Sequence, residues 1–326
     1  MGYNVKIAGV GYSVPEKILT NKDLEKIVDT SDEWITQRTG IQERRVAAKG
    51  EPTSFFATIA AQKALEMSGI QAEEIDLIIV GTVTPDMAFP STACIVQKNI
   101  GAKKAAAFDL EAACTGFIYG MSVATSFIEN NIYKNVLVIG AETLSTIVDY
   151  EDRNTCILFG DGAGAVVLTK SEEKQVLAID LGADGTGGDL LSRPAGGSLN
   201  PITEENIKNR EHFVKMAGQE VFKFAVNIMN ETSKKCIEKA GLTNENIDFF
   251  IPHQANIRII ESAVKRLKIS PEKVYINLDK YGNMSAASIP VALGEAVEKG
   301  LIKKGDNVLM VGFGGGLTWG GTLIKW

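Results

Sequence analysis

Short apolar runs alternate with longer amphipathic segments along most of the chain. The runs are rich in β-branched residues and bounded by Gly or Asn, a pattern typical of buried strands. They are Leu77–Val80, Val136–Ile139, Ala165–Leu168, Phe249–Ile251 and Val308–Val311. The longer segments follow a helical period and predict helices over Ser54–Ser68, Gly116–Asn130, Gly218–Ala240 and Ile257–Leu267. This alternation predicts an α/β fold.

The chain also contains an internal repeat at an offset of 172 residues. The segment Lys63–Asp76 aligns with Lys235–Asp248, with identical residues at six of the fourteen positions. The same offset carries the strand pattern Asn135–Gly140 onto Asn307–Gly312. Two separate matches at one offset indicate a duplicated α/β unit.

The repeat divides the chain into an amino-terminal half, residues 1–172, and a carboxyl-terminal half, residues 173–326. The polar stretch Lys170–Gln175 suits the join between them. Related halves commonly place a site where their equivalent loops converge. We therefore expect the chemistry of this chain at that meeting point.

Composition and charge exclude several classes of function. An apolar content of 45% and a charged content of 23% are ordinary globular values. The net charge of −6 gives no general attraction to nucleic acid or to an anionic membrane. The start of the sequence lacks a signal-peptide pattern, and no run of ~18 apolar residues predicts a transmembrane helix. The four cysteines form no CxxC pair, which argues against zinc and disulfides and favours a cytoplasmic protein.

Cys114 stands where an apolar run ends and a helical pattern begins. A thiol at the amino terminus of a helix lies near the positive end of the helix dipole, which favours the thiolate. Its small neighbours, Ala113 and Gly116, let a substrate carbonyl approach closely. The residues alone leave two interpretations open, a nucleophile or an inert core cysteine. The other cysteines lie inside helix or strand patterns and are interpreted as structural: Cys94, Cys156 and Cys236.

The chain contains two histidines, and their surroundings differ. His253 follows a predicted buried strand, and α/β folds place functional groups at the carboxyl ends of such strands. A satisfied core histidine is the other interpretation. His212 lies in a polar stretch and is predicted to be a surface or helix-start residue.

Asn283 belongs to a Gly-Asn turn that leads into a small-residue helix start. The offset of 172 residues carries Cys114 onto Ala286, within the same element, so Cys114 and Asn283 are expected near equivalent positions of the two halves. Helix capping is the alternative role for Asn283.

The glycine-rich stretch Phe159–Ala165 precedes a strand and opens no helix, so a dinucleotide site is not expected. The glycines after Phe313 have two interpretations. They present a backbone amide to an oxyanion, or they simply form a tight turn.

These residues together resemble the thiolase-like condensing enzymes, most closely the β-ketoacyl-acyl carrier protein synthase III family. The matching motifs occur in order over essentially the whole chain: Asp32–Ile41, Ala113–Phe117, Phe159–Gly164, Pro252–Asn256, Gly282–Ser288 and Phe313–Gly316.

The resemblance implies a five-layered αβαβα fold of two duplicated halves, usually a homodimer. It implies a Cys114–His253–Asn283 triad, with an oxyanion held by the backbone amides of Cys114 and Gly315. Cys114 would accept an acyl group from an acyl-coenzyme A primer, and malonyl-acyl carrier protein would then condense with it by decarboxylation. The product would be a 3-oxoacyl-acyl carrier protein that starts fatty acid synthesis. No metal or redox cofactor is implied, because coenzyme A is part of a substrate.

Further residues acquire roles from the same resemblance. Trp34 and Arg153 would enclose the adenine of coenzyme A, with Arg38 near its phosphates. The pantetheine tunnel would be lined by Gly218, Phe222 and Asn256. Gln219 stands where the family often has Asn, which puts that single contact in doubt. Phe89 matches a residue that the dimer partner inserts beside the acyl pocket.

Docking of an acidic carrier protein would need a local basic patch, since this chain is itself acidic. The predicted helix Ile257–Leu267 carries suitable charges, and a further lysine lies on the helix of Phe222. The candidate docking residues are Lys223, Arg258, Lys265 and Arg266. A solvated helix face is the alternative interpretation.

Three other functions fit the sequence less well. A papain-like hydrolase shares the Cys-His-Asn order, but Cys114 lacks the local context of that family. A non-catalytic scaffold is disfavoured because all three triad residues are present. A related condensing enzyme of secondary metabolism, with other acyl donors, is the main alternative. The sequence does not define the primer, which is acetyl, branched or longer.

Overall fold

The structure, a computed structural model, describes residues 4–326. The start of the chain, Met1–Tyr3, lies outside the described residues. All the strands and helices that periodicity predicted are present, with ends that differ by a few residues at most. The strands are β1 (Asn4–Ser13), β2 (Ile18–Thr20), β3 (Glu43–Arg45), β4 (Leu77–Gly81), β5 (Ala106–Leu110), β6 (Asn135–Thr143), β7 (Asp161–Ser171), β8 (Val176–Ala183), β9 (Leu191–Ser192), β10 (Lys215–Met216), β11 (Phe249–Pro252), β12 (Asn307–Gly314) and β13 (Thr318–Lys325).

Glycine ends several of the α-helices. Gly40, Gly69 and Gly101 end three of them in the left-handed conformation, which glycine adopts without steric cost. The helices are α1 (Asn21–Leu24), α2 (Asp32–Thr39), α3 (Thr53–Ser68), α4 (Thr92–Ile100), α5 (Gly116–Glu129), α6 (Arg153–Cys156), α7 (Glu204–Lys208), α8 (Gly218–Lys239), α9 (Ile257–Leu267), α10 (Leu278–Tyr281) and α11 (Ser288–Glu298).

Two mixed sheets form the frame of the molecule. The first has the strand order β1-β7-β6-β4-β5, and the second has the order β11-β12-β13-β8. In the first sheet β4 runs parallel to β5 and β6, while β7 runs antiparallel to its neighbours. In the second sheet β11 is parallel to β12, while β13 is antiparallel to β12 and β8.

Helices α5 and α11 lie between the two sheets and form the middle layer. Their apolar side chains, among them Phe117, Met121 and Leu293, join one buried cluster with residues from both sheets, such as Val138 and Met310. Helices α3 and α4 cover the outer face of the first sheet, and α8 and α9 cover that of the second. The predicted αβαβα fold is therefore confirmed.

Local structure repeats at the offset found in the sequence. The short 3₁₀ turns Ala113–Thr115 and Ser285–Ala287 precede α5 and α11, and their first residues share a positive φ, 45° at Ala113 and 46° at Ser285. The Asp76 carboxylate accepts a hydrogen bond from the Asn135 backbone at 2.9 Å, and Asp248 does the same for Asn307 at 2.9 Å. These repeated contacts support a duplicated unit.

Some smaller expectations need correction. His212 lies in a turn rather than at a helix start, half-buried with its ring 4.0 Å from that of Phe213. Cys94 is exposed on α4, whereas Cys156 and Cys236 are buried.

Among residues 4–326, none of the helices has the length and apolarity that a membrane crossing requires. The same residues contain no group of three or more His, Cys, Asp and Glu side chains arranged to hold a metal ion.

Candidate active site

Cys114 lies in the turn between β5 and α5, at the amino-terminal end of the central helix. The adjoining end of β12 packs closely against it, because a Cβ atom on Gly314 would lie 2.7 Å from the Cys114 nitrogen. The Thr115 hydroxyl donates to the Ala112 carbonyl at 2.6 Å and stabilises the turn. The glycine at position 314 therefore allows the two halves to meet at the cysteine.

The surroundings of the Cys114 thiol affect its pKa in opposite directions. Burial raises the pKa of Cys114 to about 12, although a hydrogen bond from Ser285 acts in the opposite direction. Negative charge on Glu142 and Glu111 raises the pKa further. Removal of the thiol from water therefore opposes the effect of the helix dipole, which favours the thiolate.

His253 follows β11 and is held by contacts of both its backbone and its ring. Its backbone nitrogen donates to the Val311 carbonyl at 2.8 Å, and its Nδ1 lies 2.6 Å from the Ser288 hydroxyl. The edge of the ring contacts Phe313, with centroids 5.3 Å apart. Burial lowers the pKa of His253 to about 3, so the ring is neutral at physiological pH. When the hydroxyl of Ser288 donates to Nδ1, the proton of the neutral ring lies on Nε2.

Asn283 is held by backbone pairing with the segment before β7. Its nitrogen donates to the Leu158 carbonyl at 2.8 Å, and its carbonyl accepts from Gly160 at 3.0 Å. The side-chain oxygen Oδ1 accepts from the Ser285 nitrogen at 2.8 Å. Within residues 4–326 the Nδ2 group donates to no protein acceptor, which leaves it available to a ligand.

One segment, Asn283–Ser288, brings the three predicted triad residues together. It contains Asn283, lines the same cavity as Cys114 through Ser285, and contacts His253 through Ser288. All three side chains are buried, with exposed fractions of 7% or less. The site therefore lies where the turns before α5 and α11 meet, between the two halves.

A cavity of about 800 Å³ opens at Cys114. Gly315, the other predicted oxyanion donor, and Ser285 also line it. Most of its remaining wall is apolar and includes Leu144, Ile147, Val148, Leu191 and Val214. Such a wall suits a hydrocarbon chain attached to the thiol. Phe89 does not line this cavity of its own chain and is 85% exposed.

A groove of about 620 Å³ is separated from the cavity by the segment Ile157–Phe159. It collects most of the residues expected to contact coenzyme A, together with two candidate docking residues: Trp34, Arg38, Gly218, Gln219, Phe222, Lys223, Asn256 and Arg258. Ile157 and Leu158 line the groove, whereas Phe159 lines the cavity and pairs with Asn283. The triad therefore adjoins the boundary between the groove and the cavity.

Two guanidinium groups lie against the Trp34 ring. Arg38 is 4.8 Å from the ring centroid and Arg153 is 5.1 Å from it. Arg153 also donates to the Asp29 carbonyl at 2.8 Å. An adenine between Trp34 and Arg153 would therefore have to displace the arginine from its present contact.

Asn256 has a structural task that the sequence did not reveal. Its Oδ1 accepts from the Arg258 nitrogen at 2.9 Å and caps α9, while its Nδ2 donates to the Arg38 carbonyl at 3.0 Å. The side chain thus joins α9 to the end of α2 and shapes the floor of the groove.

The four candidate docking residues are all exposed, and they border different depressions of the surface. Lys223 and Arg258 line the groove, and the Arg258 guanidinium lies 5.8 Å from the Phe222 ring centroid. Lys265 borders a separate depression on the far side of α9. Arg266 donates to Asn227 at 2.9 Å.

Sequence reasoning missed three polar residues of the site: Glu142, Ser285 and Ser288. The two serines belong to the Gly282–Ser288 motif, in which the sequence predicts only a helix start. Glu142 carried a clearer signal, because it is a lone acidic residue in β6, all nine residues of which are buried. A buried carboxyl group in an apolar strand marks a site that needs an explanation.

Two family models match the chain. The model for 3-oxoacyl-[acyl-carrier-protein] synthase III matches residues 108–185, and that for the carboxyl-terminal part of the same enzymes matches residues 237–326. The first match contains Cys114, and the second contains both His253 and Asn283.

Similar proteins cover the whole chain. A β-ketoacyl-[acyl-carrier-protein] synthase III of Natranaerobius thermophilus is 61% identical over 99% of both chains. Another from Caldanaerobacter subterraneus is 60% identical over 98% of this chain and 97% of its own. The crystal structure of 3-oxoacyl-[acyl-carrier-protein] synthase III from Aquifex aeolicus matches with a TM-score of 0.92 and 51% identity, covering 99% of this chain and 100% of that one.

Proposed function

The chain belongs to the β-ketoacyl-[acyl-carrier-protein] synthase III family of acyltransferase-type condensing enzymes, and we propose that Cys114, His253 and Asn283 carry its reaction. The observation that supports these roles is the convergence of the three buried side chains on the segment Asn283–Ser288, next to an apolar cavity that Cys114 lines. The substrates proposed are a short acyl-coenzyme A and malonyl-acyl carrier protein. The high identity to relatives with this name favours fatty acid synthesis over a secondary pathway.

In the first half-reaction, the Cys114 sulfur attacks the carbonyl carbon of the acyl thioester. The backbone amides of Cys114 and Gly315 stabilise the tetrahedral oxyanion, and coenzyme A leaves as a thiol that has gained the proton lost by Cys114. The acyl group then lies in the apolar cavity that begins at Cys114. The amides belong to rigid turns, so little reorganisation accompanies the appearance of the charge.

In the second half-reaction, malonyl thioester occupies the place that coenzyme A has left. The neutral His253 ring donates through Nε2, and Asn283 donates through Nδ2, to the thioester oxygen. Loss of carbon dioxide leaves an enolate whose charge these donors stabilise. The enolate carbon attacks the acyl-Cys114 carbonyl, and the bond from that carbon to the Cys114 sulfur breaks. Cys114 leaves as a thiolate that regains a proton from solvent, and the released product is a 3-oxoacyl thioester. The reaction as proposed needs no metal or redox cofactor.

Single-turnover acylation with a panel of acyl-coenzyme A thioesters, followed by malonyl-acyl carrier protein, tests this function. We expect each accepted primer to add its acyl mass to the protein. Malonyl-acyl carrier protein should then remove that mass and appear as the 3-oxoacyl product with release of carbon dioxide. An acylated protein that releases only free acid would identify a hydrolase instead. The panel also defines the primer, which the cavity alone does not.

The groove is proposed to hold coenzyme A, with its adenine on Trp34. Stacking of a base on an aromatic ring contributes about 1–3 kcal/mol, so we expect Trp34→Ala to raise the KM for acyl-coenzyme A roughly tenfold with little change in kcat. Steady-state kinetics with acetyl-coenzyme A measure this effect. The same acyl group on a short thioester without the nucleotide is the control, and its KM should not change. A similar increase for both substrates would contradict adenine stacking.

Carrier-protein docking is proposed to use Arg258 and Lys265, with Lys223 and Arg266 beside them. Replacing both Arg258 and Lys265 by Glu should raise the KM for malonyl-acyl carrier protein several-fold at low salt, because exposed charge pairs attract modestly and are screened by ions. The effect should shrink at higher salt. Turnover with malonyl-coenzyme A should change little.

The matched control for docking is the charge reversal of Lys303 and Lys304. Both are exposed and precede the Asn307 end of β12, whereas the site lies at its Gly314 end. Because Arg258 also lines the groove, Lys265→Glu alone provides a variant outside it. Equal losses with malonyl-coenzyme A in the Lys265 variant, or equal losses in the control, would exclude the docking surface.

Three further parts of the proposal concern organisation. We place the division of the duplicated halves at residues 172 and 173, in the turn between β7 and β8. We propose a homodimer in which the exposed Phe89 enters the partner's acyl pocket. Its neighbours Ala88 and Ser91 line the cavity of their own chain, so Phe89 lies near that cavity while its side chain remains outside it. A cytoplasmic location suits a protein whose four cysteines are free thiols.

A further inference from the structure

The two ring nitrogens of His253 have different surroundings. Nδ1 lies 2.6 Å from the Ser288 hydroxyl, and this contact is buried. Nε2 makes no hydrogen bond within residues 4–326, yet it is not one of the buried polar atoms that lack a partner. Nε2 therefore reaches an accessible space, although the residue as a whole is only 1% exposed. One nitrogen is held by the protein, and the other is open to a ligand.

The Ser288 hydroxyl is the donor in this contact. Ser288 is 0% exposed, and within residues 4–326 its hydroxyl has no hydrogen-bond partner other than Nδ1. A buried hydroxyl proton without an acceptor destabilises a protein, so this proton points to the one acceptor within reach. A neutral imidazole accepts at one nitrogen and donates at the other. Because Nδ1 accepts, the single ring proton lies on Nε2.

The position of Ser288 is fixed by close packing. It is the first residue of α11, and strands β6 and β7 lie directly against this end of the helix. A Cβ atom on Gly140 of β6 would overlap the Ala286 carbonyl oxygen, and one on Gly164 of β7 would overlap the backbone at Pro290. This close approach leaves the start of the helix no room to shift, so the hydroxyl group has a defined place.

The other contacts of His253 do not define which way its ring is turned. The backbone nitrogen donates to the Val311 carbonyl at 2.8 Å, and this bond fixes only the backbone. Phe313 lies against the ring, with centroids 5.3 Å apart and planes at 72°. A half-turn about the Cβ–Cγ bond would exchange Nδ1 with a carbon atom and would preserve both contacts. It would break only the hydrogen bond from Ser288, and it would move Nε2 from its place.

We propose that Ser288 is the positioning residue of His253: its hydroxyl donates to Nδ1, prevents the half-turn of the ring and keeps the ring proton on Nε2, which donates to the thioester oxygen. The inference rests on the proposed role of His253 in stabilising the enolate. Ser288 lines neither the cavity nor the groove, so it acts only through the histidine.

The chemical type of the partner decides what the histidine does. A carboxylate at Nδ1 accepts the ring proton, and Nε2 then has a lone pair that acts as a base. A hydroxyl that donates to Nδ1 has the opposite effect, because it leaves the proton on Nε2 and makes this nitrogen a donor. The enolate needs a donor, since negative charge develops on its oxygen. Within residues 4–326 no Asp or Glu side chain forms a hydrogen bond with His253, which agrees with the donor role.

A double-mutant cycle of Ser288→Ala, His253→Ala and the combined variant tests this role. Each enzyme is first acylated and weighed, and the release of labelled carbon dioxide from malonyl-acyl carrier protein is then measured. We expect Ser288→Ala to slow this release about tenfold, which is less than the ~10²–10³-fold expected for loss of the donor itself. Acylation of Cys114 should change little. In the His253→Ala background Ser288→Ala should have no further effect, because no ring is left to position.

Nuclear magnetic resonance of protein labelled with ring-¹⁵N histidine locates the ring proton without substrate. The chain contains two histidines, so His212→Ala assigns the spectrum. In the native protein we expect a protonated Nε2 and an unprotonated Nδ1 that accepts a hydrogen bond. In Ser288→Ala the Nδ1 resonance should shift to that of an unprotonated nitrogen without a hydrogen bond.

Two further variants separate positioning from stability. Ser233→Ala removes another fully buried hydroxyl, which donates to the Met229 carbonyl at 2.7 Å outside the cavity and the groove. This variant should keep the native rate of carbon dioxide release and the native His253 resonances. Ser288→Thr keeps a hydroxyl at the position and should recover most of the rate that alanine loses. The alanine variant and the native spectrum decide the question even if the extra methyl group of threonine disturbs the fold.

Three results would overturn the proposal. They are a proton on Nδ1 in the native protein, native carbon dioxide release from Ser288→Ala, and equal slowing by Ser288→Ala with and without His253. The last result, like equal slowing of acylation and decarboxylation, would show that the serine supports the fold rather than the ring. A native protein that forms no acyl-enzyme, or native carbon dioxide release from His253→Ala, would instead reject the proposed function on which this role depends.

Discussion

We expect Cys114→Ser to take no acyl group from acetyl- or isobutyryl-coenzyme A, whereas the native protein gains one acyl mass. A serine hydroxyl fits the space of the thiol. It is a far weaker acid than a thiol, however, and the neutral His253 ring provides no strong base beside it. Intact-mass measurement after incubation with each thioester reports the result directly. The expected effect is complete, because no other group is proposed to carry the acyl intermediate.

The other cysteines provide matched controls for this variant. Cys94→Ser removes an exposed thiol, and Cys156→Ser and Cys236→Ser remove buried thiols away from the cavity. Each should still acquire one acyl group. An acyl mass retained by Cys114→Ser, or mapped to one of these three positions, would exclude Cys114 as the nucleophile.

Periodicity predicted the frame of this molecule well, because the frame follows from local patterns of burial. Helix α9 begins at Ile257 and ends at Leu267, as predicted, since its apolar positions repeat on one face and Asn256 caps its start. The repeat at 172 residues was visible for a similar reason. The contacts that Asp76 and Asp248 make with Asn135 and Asn307 preserve the same residues in both halves.

The hydrogen-bond network of the site could not be predicted in this way. The side chains of His253 and Ser288 are 35 positions apart, and Glu142 and Thr84 are 58 apart, so no local pattern joins them. The burial that raises the pKa of Cys114 has no local signal either. The helix that favours a thiolate is visible in the sequence, whereas the walls that exclude water come from several distant elements.

The second half-reaction should separate from the first in variants of His253 and Asn283. Both side chains have a free donor and are proposed to stabilise the enolate, which exists only after decarboxylation. Loss of one such donor typically lowers the rate ~10²–10³-fold. We therefore expect His253→Ala and Asn283→Ala to acylate Cys114 to a measurable extent but to release carbon dioxide from malonyl thioester at this reduced rate.

The measurement is release of labelled carbon dioxide from malonyl-acyl carrier protein by enzyme that has first been acylated and weighed. His212→Ala is the matched control, since His212 lies in a turn outside the cavity and the groove, and its carbon dioxide release should remain normal. Thermal unfolding of each variant shows whether the space left by the smaller side chain has lowered the stability of the protein, and with it the rate. Because the His253 ring is neutral down to a pKa of about 3, the native rate should show no histidine titration between pH 5 and 8. Normal carbon dioxide release from either variant would mean that the enolate is stabilised elsewhere, and the assignment of these two donors would then be wrong.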